Sequence, residues 1–513
     1  MTNLTNSKKP AANTAANAKA DLPASDEPSS VLTLRGNGEQ TVKFYAPNDA
    51  GNAERFLDTY GEDVRYCPAE KTWYVFDGMR WQADTTSQVE KLVCSALEAS
   101  YTAEIAHLQE LDQYGSQKDA INRAYKRRTA AGNLQTLRSC VNMAGFRASI
   151  EPEEFDADDY EFHAQNGSLN LKTYQGYSYH KKDLYFRKMA GASFALEQSD
   201  YEPNGQPYCP RWKKFVVQCA MGDVKLFLYL QRAAGYSVMT GDISAQKVFC
   251  LVGEGRNGKS LFINTLAEIA GDYACKIESS LLSMNRWGER DADVSKELYR
   301  MKGKRFVYAN EFSRGTMLNE VFIKAITDGG KISCRPLYGS AIEYTPTYKL
   351  WFSTNHLPDL QALDEGIGRR LVIIPFRLNL TDEQIDKTLA DAFREEANGI
   401  LMWLIQGYWQ YTLQGLEPPE AIRQETAQYF AEQDLFRLFL EETYVPDENG
   451  KIYAREVYEA YQWWCGNMGE RSVARNMLGK ELQRLGILKR RDAKGIYYEL
   501  QQKAEREASL KNL

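Results

Sequence analysis

Gly253-Glu-Gly-Arg-Asn-Gly258-Lys259-Ser260 fits the pattern G-x-x-x-x-G-K-[ST] at every fixed position. Glycines let backbone N–H groups converge on phosphate oxygens, and a helix starting at the loop's end adds a favourable dipole. Lys259 suits the β- and γ-phosphates, and the Ser260 hydroxyl suits Mg²⁺. The flanks agree with that chemistry. Val248–Val252 is an apolar, strand-like run, and Leu261–Ala270 continues with helical spacing. Gly253, Glu254, Gly255, Arg256, Asn257, Gly258, Lys259 and Ser260 are therefore the expected ATP-binding loop.

Further strand-like runs carry polar residues of the kinds phosphate hydrolysis uses. Arg305–Ala309 runs into Asn310 and Glu311, and a carboxylate there is placed to bind the metal's water shell or orient the attacking water. Asn310 stands where an Asp-Glu pair has its first member, which leaves Glu311 to serve both roles. Tyr348–Phe352 leads to Asn355, a residue suited to sensing the γ-phosphate or to an ordinary turn. Arg369 and Arg370 precede the apolar run Leu371–Ile374. Such arginines suit plain salt bridges or, in a ring ATPase, a reach into the neighbouring subunit's nucleotide.

These residues need a scaffold, and the sequence suggests one. From Lys247 to Phe376 short β-rich runs alternate with helical ones, which argues for α/β layers around a largely parallel sheet. The expected organisation is multidomain α/β, with an ATPase domain at 242–380. Before it come a disordered tail at 1–43, poor in apolar residues, and an α-rich unit with short hairpins at 44–241. In that unit, Lys71–Trp81 reads as two strands around a two-residue Asp77-Gly78 turn, Asn166-Gly167 marks another turn, and 87–128 has helical spacing. A helical extension at 381–434 precedes a C-terminal piece at 435–513, whose helices and closing hairpin suggest a winged helix. Its basic residues, Arg475, Lys480, Lys489, Arg490 and Arg491 among them, suit DNA phosphates or a solvated face.

Bulk properties narrow the class. At 513 residues the chain exceeds a single core. Ile400–Leu413 is interrupted by Gln406, Gly407 and Gln410 and reads as a packed helix rather than a membrane span. Nine scattered cysteines without a C-x-x-C pair, and only four histidines, argue against a zinc site or disulfide framework and for a reduced, cytoplasmic protein with no membrane partner. The net charge of −6 argues against a uniformly basic DNA coat but leaves room for a local basic stripe or charged pore.

Taken together, these motifs resemble the superfamily 3 helicases of DNA viruses, phages and plasmids, within the AAA+ class. The poxvirus and satellite-phage type of primase–helicase is especially similar. The likeness rests on Gly253–Ser260, Tyr308–Glu311, Lys324–Gly339, Leu350–Pro358 and Arg369–Phe376, in that order, and extends over about residues 45–500. It implies an AAA+ core burning ATP with Mg²⁺, with Lys259, Glu311, Asn355 and Arg370 as catalytic residues and Ser260 and Glu311 at the metal. The family pattern favours Arg370 over Arg369 as the residue acting in trans. It further implies a hexameric ring threading single-stranded DNA 3′ to 5′ at replication forks, with Lys331, Arg335 and Tyr338 of a pore hairpin on the strand.

Many relatives carry a primase domain, whereas Asp156 and Asp158 sit in an acidic loop without a clear strand. The expectation is that this chain does not prime, or does so with a separate primase or initiator. An AAA+ initiator or loader that remodels DNA without processive unwinding needs the same ATP site and stands as the alternative.

Overall fold

The computed structural model describes residues 30–33, 41–112, 115–173, 177–284, 291–335, 341–360, 365–468, 472 and 474–503. Its centre is a parallel sheet of Val248–Val252 (β1), Ala274–Lys276 (β2), Phe306–Asn310 (β3), Lys349–Thr354 (β4) and Leu371–Pro375 (β5). The spatial order is β2-β3-β4-β1-β5. Strands covered on both faces are mostly apolar, and β4 and β5 are buried throughout, with Lys349, Ser353 and Thr354 the polar residues of β4. Val252 lies opposite both Thr354 and Pro375, and Asn310 lies opposite Ser353. The carboxyl ends of β3, β4, β1 and β5 therefore finish along one edge, where open α/β sheets present their ligand crevice.

Four helices matter for the site. They are Pro210–Cys219 (α1), Val224–Met239 (α2), Lys259–Ala270 (α3) and Ala397–Gln414 (α4). The α4 helix contains the expected packed run and crosses α2 at close range. A Cβ on Gly235 would lie 2.3 Å from the Tyr408 nitrogen, and one on Gly407 would lie 2.1 Å from the Gln231 carbonyl oxygen. Gln231 Nε2 donates to the Trp403 carbonyl across this contact at 3.0 Å. Two cations close the carboxyl end of α2. Arg305 donates to the Met239 carbonyl and Lys349 to that of Thr240, and Phe306 pairs with Lys349 across β3 and β4. No helix among the described residues is long and apolar enough to cross a membrane.

The chain divides into two compact units, one of residues 1–157 and 181–187, the other of 158–180 and 188–513. The first holds the helices Asp49–Tyr60, Gln88–Leu111, Lys118–Ala131 and Leu134–Arg147 and an antiparallel sheet of Val64–Cys67, Thr72–Phe76 and Trp81–Ala83. Phe76 pairs with Trp81, so the expected two-residue turn is a four-residue loop. Asp77 builds it by accepting from the Met79 and Arg80 nitrogens at 2.8 Å each, while Gly78 takes the positive φ of 98°. Within the stretch read as a tail, Ser30–Thr33 pairs antiparallel with Thr41–Phe44. The β-branched residues Val31, Thr33, Thr41 and Val42 suit that pairing, whereas residues 1–29 lie outside the described ones.

The second unit also contains the C-terminal helices Leu435–Thr443, Ala454–Met468 and Arg475–Arg484 with a sheet of Ile452–Tyr453, Lys489–Asp492 and Gly495–Tyr498. Tyr461 and Trp464 are core residues there, at 1% and 2% exposure. All nine cysteines are free thiols, eight buried and Cys94 exposed.

Candidate functional site

The loop from β1 to α3 is shaped by close contacts. A Cβ on Gly258, where φ is 83°, would lie 2.8 Å from the Phe215 ring, and one on Gly253 would lie 2.1 Å from the Phe376 carbonyl oxygen. Only glycine fits both places. Asn257, 2% exposed, donates through Nδ2 to the carbonyls of Glu254 at 3.0 Å and Phe376 at 3.2 Å, tying the loop to the residue after β5. Glu254, Gly255, Arg256 and Ser260 are exposed, and Arg256 bridges to Asp382 at 2.8 Å.

Lys259 sits at the first turn of α3 with its ammonium turned back over the loop. It donates to the Gly253 carbonyl at 2.5 Å and to the side-chain oxygens of Asn257 and Asn355 at 3.0 Å each. Burial holds its pKa below the ordinary lysine value, and the Glu311 carboxylate partly offsets that cost. Glu311 follows β3 with φ at 42°, and its nitrogen donates to the Ser353 carbonyl at 2.7 Å. A non-glycine residue in that region costs on the order of 1 kcal/mol, a strain that clusters at functional sites. Its effect here is an exposed carboxylate beyond the end of the strand.

Lys259, Ser260, Glu311, Ser353 and Asn355 line one cavity of about 590 Å³, a size suited to a nucleotide. The Ser260 hydroxyl and Glu311 carboxylate are hard oxygen donors, the chemistry Mg²⁺ prefers when it keeps most of its waters. The opposite wall is not marked by any motif. It comes from Arg211, Lys214, Phe215 and Gln218 of α1 and from Leu378, Leu380, Gln384 and Leu389 beyond β5. Local signals do account for how α1 is held. Pro210 opens it, the Glu396 carboxylate accepts from the Arg211 and Trp212 nitrogens at 3.0 Å each, and Trp212 stacks on Phe262 of α3 at 5.4 Å.

The paired arginines separate. Arg370, expected to reach a neighbouring subunit, is instead 2% exposed and bound within its own chain. Its Nε donates to Thr327 Oγ1 at 3.0 Å, Nη1 to the Gly366 carbonyl at 2.7 Å, and Nη2 to the Asp328 carboxylate. The sequence displays the charge of Arg370 but not these partners, which lie 42 and 43 positions away in the case of Asp328 and Thr327. Arg369 beside it is exposed. Lys331 and Arg335 are exposed at the two ends of Ile332–Cys334, which pairs antiparallel with Ile342–Tyr344; Tyr338 lies outside the described residues.

Comparison with known proteins gives two family matches and several viral relatives. Residues 53–219 match the family described as D5 N terminal like, and residues 251–370 match a family of unknown function, DUF5906. A protein of Acanthamoeba polyphaga mimivirus named as a helicase is 27% identical over 44% of this chain and 25% of its own length. One of Sputnik virophage, also named as a helicase, is 28% identical over 35% of this chain and 25% of its own. A protein of African swine fever virus named as a primase is 28% identical over 23% of this chain and 12% of its own. The matches thus span about a quarter of these relatives' length or less. Among solved structures, the C-terminal region of NrS-1 aligns over 86% of this chain and 97% of its own at 11% identity, with a TM-score of 0.46. The two family matches and the viral relatives together support a D5-like primase–helicase family for residues 53–219 and 251–370.

Proposed function

We propose that this chain is an ATP-driven DNA helicase serving the replication of a virus, phage or plasmid. The observation that carries the reading is the convergence of Lys259, Ser260, Glu311 and Asn355 on one nucleotide-sized cavity at the carboxyl edge of a parallel sheet. The strand bearing Glu311 is separated from the loop-bearing strand by β4, which ends beside Asn355. That arrangement supports an AAA+ core of the superfamily 3 kind at residues 242–380.

In this reading the 253–260 backbone cradles the phosphates, and Lys259 neutralises charge on the β- and γ-phosphates. Ser260 and Glu311 would hold Mg²⁺, which would supply further neutralisation of the phosphates when bound. Glu311 orients the attacking water, and its carboxylate accepts the water's proton as the bond to the γ-phosphorus forms and the bond to the β,γ-bridging oxygen breaks, that oxygen leaving on ADP. Asn355 gives up its bond to Lys259 and contacts the γ-phosphate. Arg369, exposed where Arg370 is committed, takes the trans-acting role on the next subunit of a hexameric ring. Lys331, Arg335 and Tyr338 contact the threaded strand. The C-terminal helices and three-stranded sheet act as a winged-helix-like DNA-binding domain at 435–513, after a helical extension at 381–434.

The test is ATP-dependent unwinding of duplexes with a 3′ or a 5′ single-stranded tail, with Lys259→Ala as control. The expected result is separation of the 3′-tailed duplex that vanishes in the variant. DNA-stimulated hydrolysis without strand separation on either duplex would move the chain to the initiator or loader class.

A further inference from the structure

The helix Lys118–Ala131 of the first unit carries Lys118, Arg123, Lys126, Arg127 and Arg128 against one carboxylate, Asp119. Its buried stripe is Ala120, Ala124 and Ala131; Arg127 is half-buried near Tyr101 and Arg128 Nη1 donates to Thr102 Oγ1 at 3.5 Å, which leaves the outer face to Lys118, Arg123 and Lys126. Lys118, Arg123 and Lys126 are exposed, and Tyr125 stands among them at 45% exposure.

Several arginines elsewhere on the surface are neutralised along their own helices. Arg300 pairs with Glu297, Arg394 with Asp391, and Arg423 with Glu420, one turn away. Arg437 pairs with Glu441 and Arg455 with Glu459 at the i,i+4 spacing. On Lys118–Ala131 that device is missing. Asn122 and Thr129 occupy positions from which a carboxylate would answer Lys126, and Asp119 makes no ion pair with Arg123 among the described residues. In a chain of net charge −6, an unneutralised basic helix raises the local potential instead of merely solvating the surface.

We propose that this face binds single-stranded DNA, its cations on successive phosphates and Tyr125 stacked on a base. Cations spaced along a helix around an exposed aromatic ring match the alternation of phosphate and base along a strand. The choice of DNA over another polyanion rests on the helicase reading above. The helix shares no residue with the lining of the ATP cavity or with Lys331–Arg335.

The experiment measures binding of a fluorescent oligo-dT strand to the full chain over a range of salt, without nucleotide. For the Lys118→Gln, Arg123→Gln, Lys126→Gln triple variant the expected result is roughly tenfold weaker binding near 0.1 M salt. The log–log salt slope should be shallower by about 2, since each single-strand phosphate left without its cation takes away about 0.7. Tyr125→Ala should weaken binding by roughly fivefold or more while keeping the slope, because stacking carries no counterions. Asn122→Glu supplies Lys126 with a partner in the favourable i,i+4 orientation, so it should leave the melting temperature unchanged or higher yet still weaken binding. Affinity and slope equal to the unmodified chain in both the triple variant and Asn122→Glu would overturn the proposal. So would an unmodified chain that binds no oligo-dT. Because no ATP is present, loss of hydrolysis would count against the helicase reading alone.

Discussion

Arg370 shows how a residue's role follows from what its atoms already hold. Acceptors on Nε and both Nη groups, at 2% exposure, leave no part of the guanidinium to extend. Truncating one partner of a buried charge pair costs about 3 to 5 kcal/mol, and the half-exposed Asp328 sets the lower end here. Arg370→Ala should therefore melt at a clearly lower temperature and stay inactive when mixed with Lys259→Ala protein. Arg369→Ala should melt like the unmodified chain and recover ATP hydrolysis on mixing, since each intact half of a shared site then comes from a different subunit. Recovery by Arg370→Ala would return the trans role to it. The candidate ATP residues were legible in sequence where the fold keeps neighbours together, as from Gly253 to Ser260. Phe215 and Gln218 were not, because a cavity wall drawn from a helix about forty positions upstream leaves no spacing to read.

Elements were legible where periodicity or a turn residue fixed them, as for β1, α3 and α4. The clasp on α2 was not, since Arg305 and Lys349 meet only through the pairing of β3 with β4. The Lys349 ammonium is held well below the ordinary lysine pKa, first by burial and then by Arg305 beside it. The unfolded chain therefore binds that proton more tightly than the folded one. Stability from this group is least below the depressed value and rises with pH until the ordinary value of about 10.4 is passed. Lys349→Met removes the titration, so its melting temperature should gain less, or fall more, than that of the unmodified chain between about pH 8 and about pH 10. Parallel curves for the two proteins would mean that Lys349 titrates normally. The four-residue loop at Asp77 fell outside the sequence reading for another reason. An Asp-Gly pair specifies a reversal, but the side-chain bonds of Asp77 to Met79 and Arg80 set its length.

At the scale of the whole molecule, both compact units hold their cysteines as free thiols, and only Cys94 is exposed. Burial raises the thiol pKa at Cys140, Cys209 and Cys219 to about 12, so they are poorly nucleophilic near neutrality for as long as they stay buried. The chain thus carries its own stoichiometric gauge of native structure. A maleimide in native buffer at neutral pH should add one label per chain, on Cys94, and in guanidinium the total should reach nine. A native count above one would locate a region that opens, and the labelled peptide would say which unit it belongs to. The same single thiol offers a fluorophore position on the helix Gln88–Leu111 with no engineered cysteine and no thiol removed.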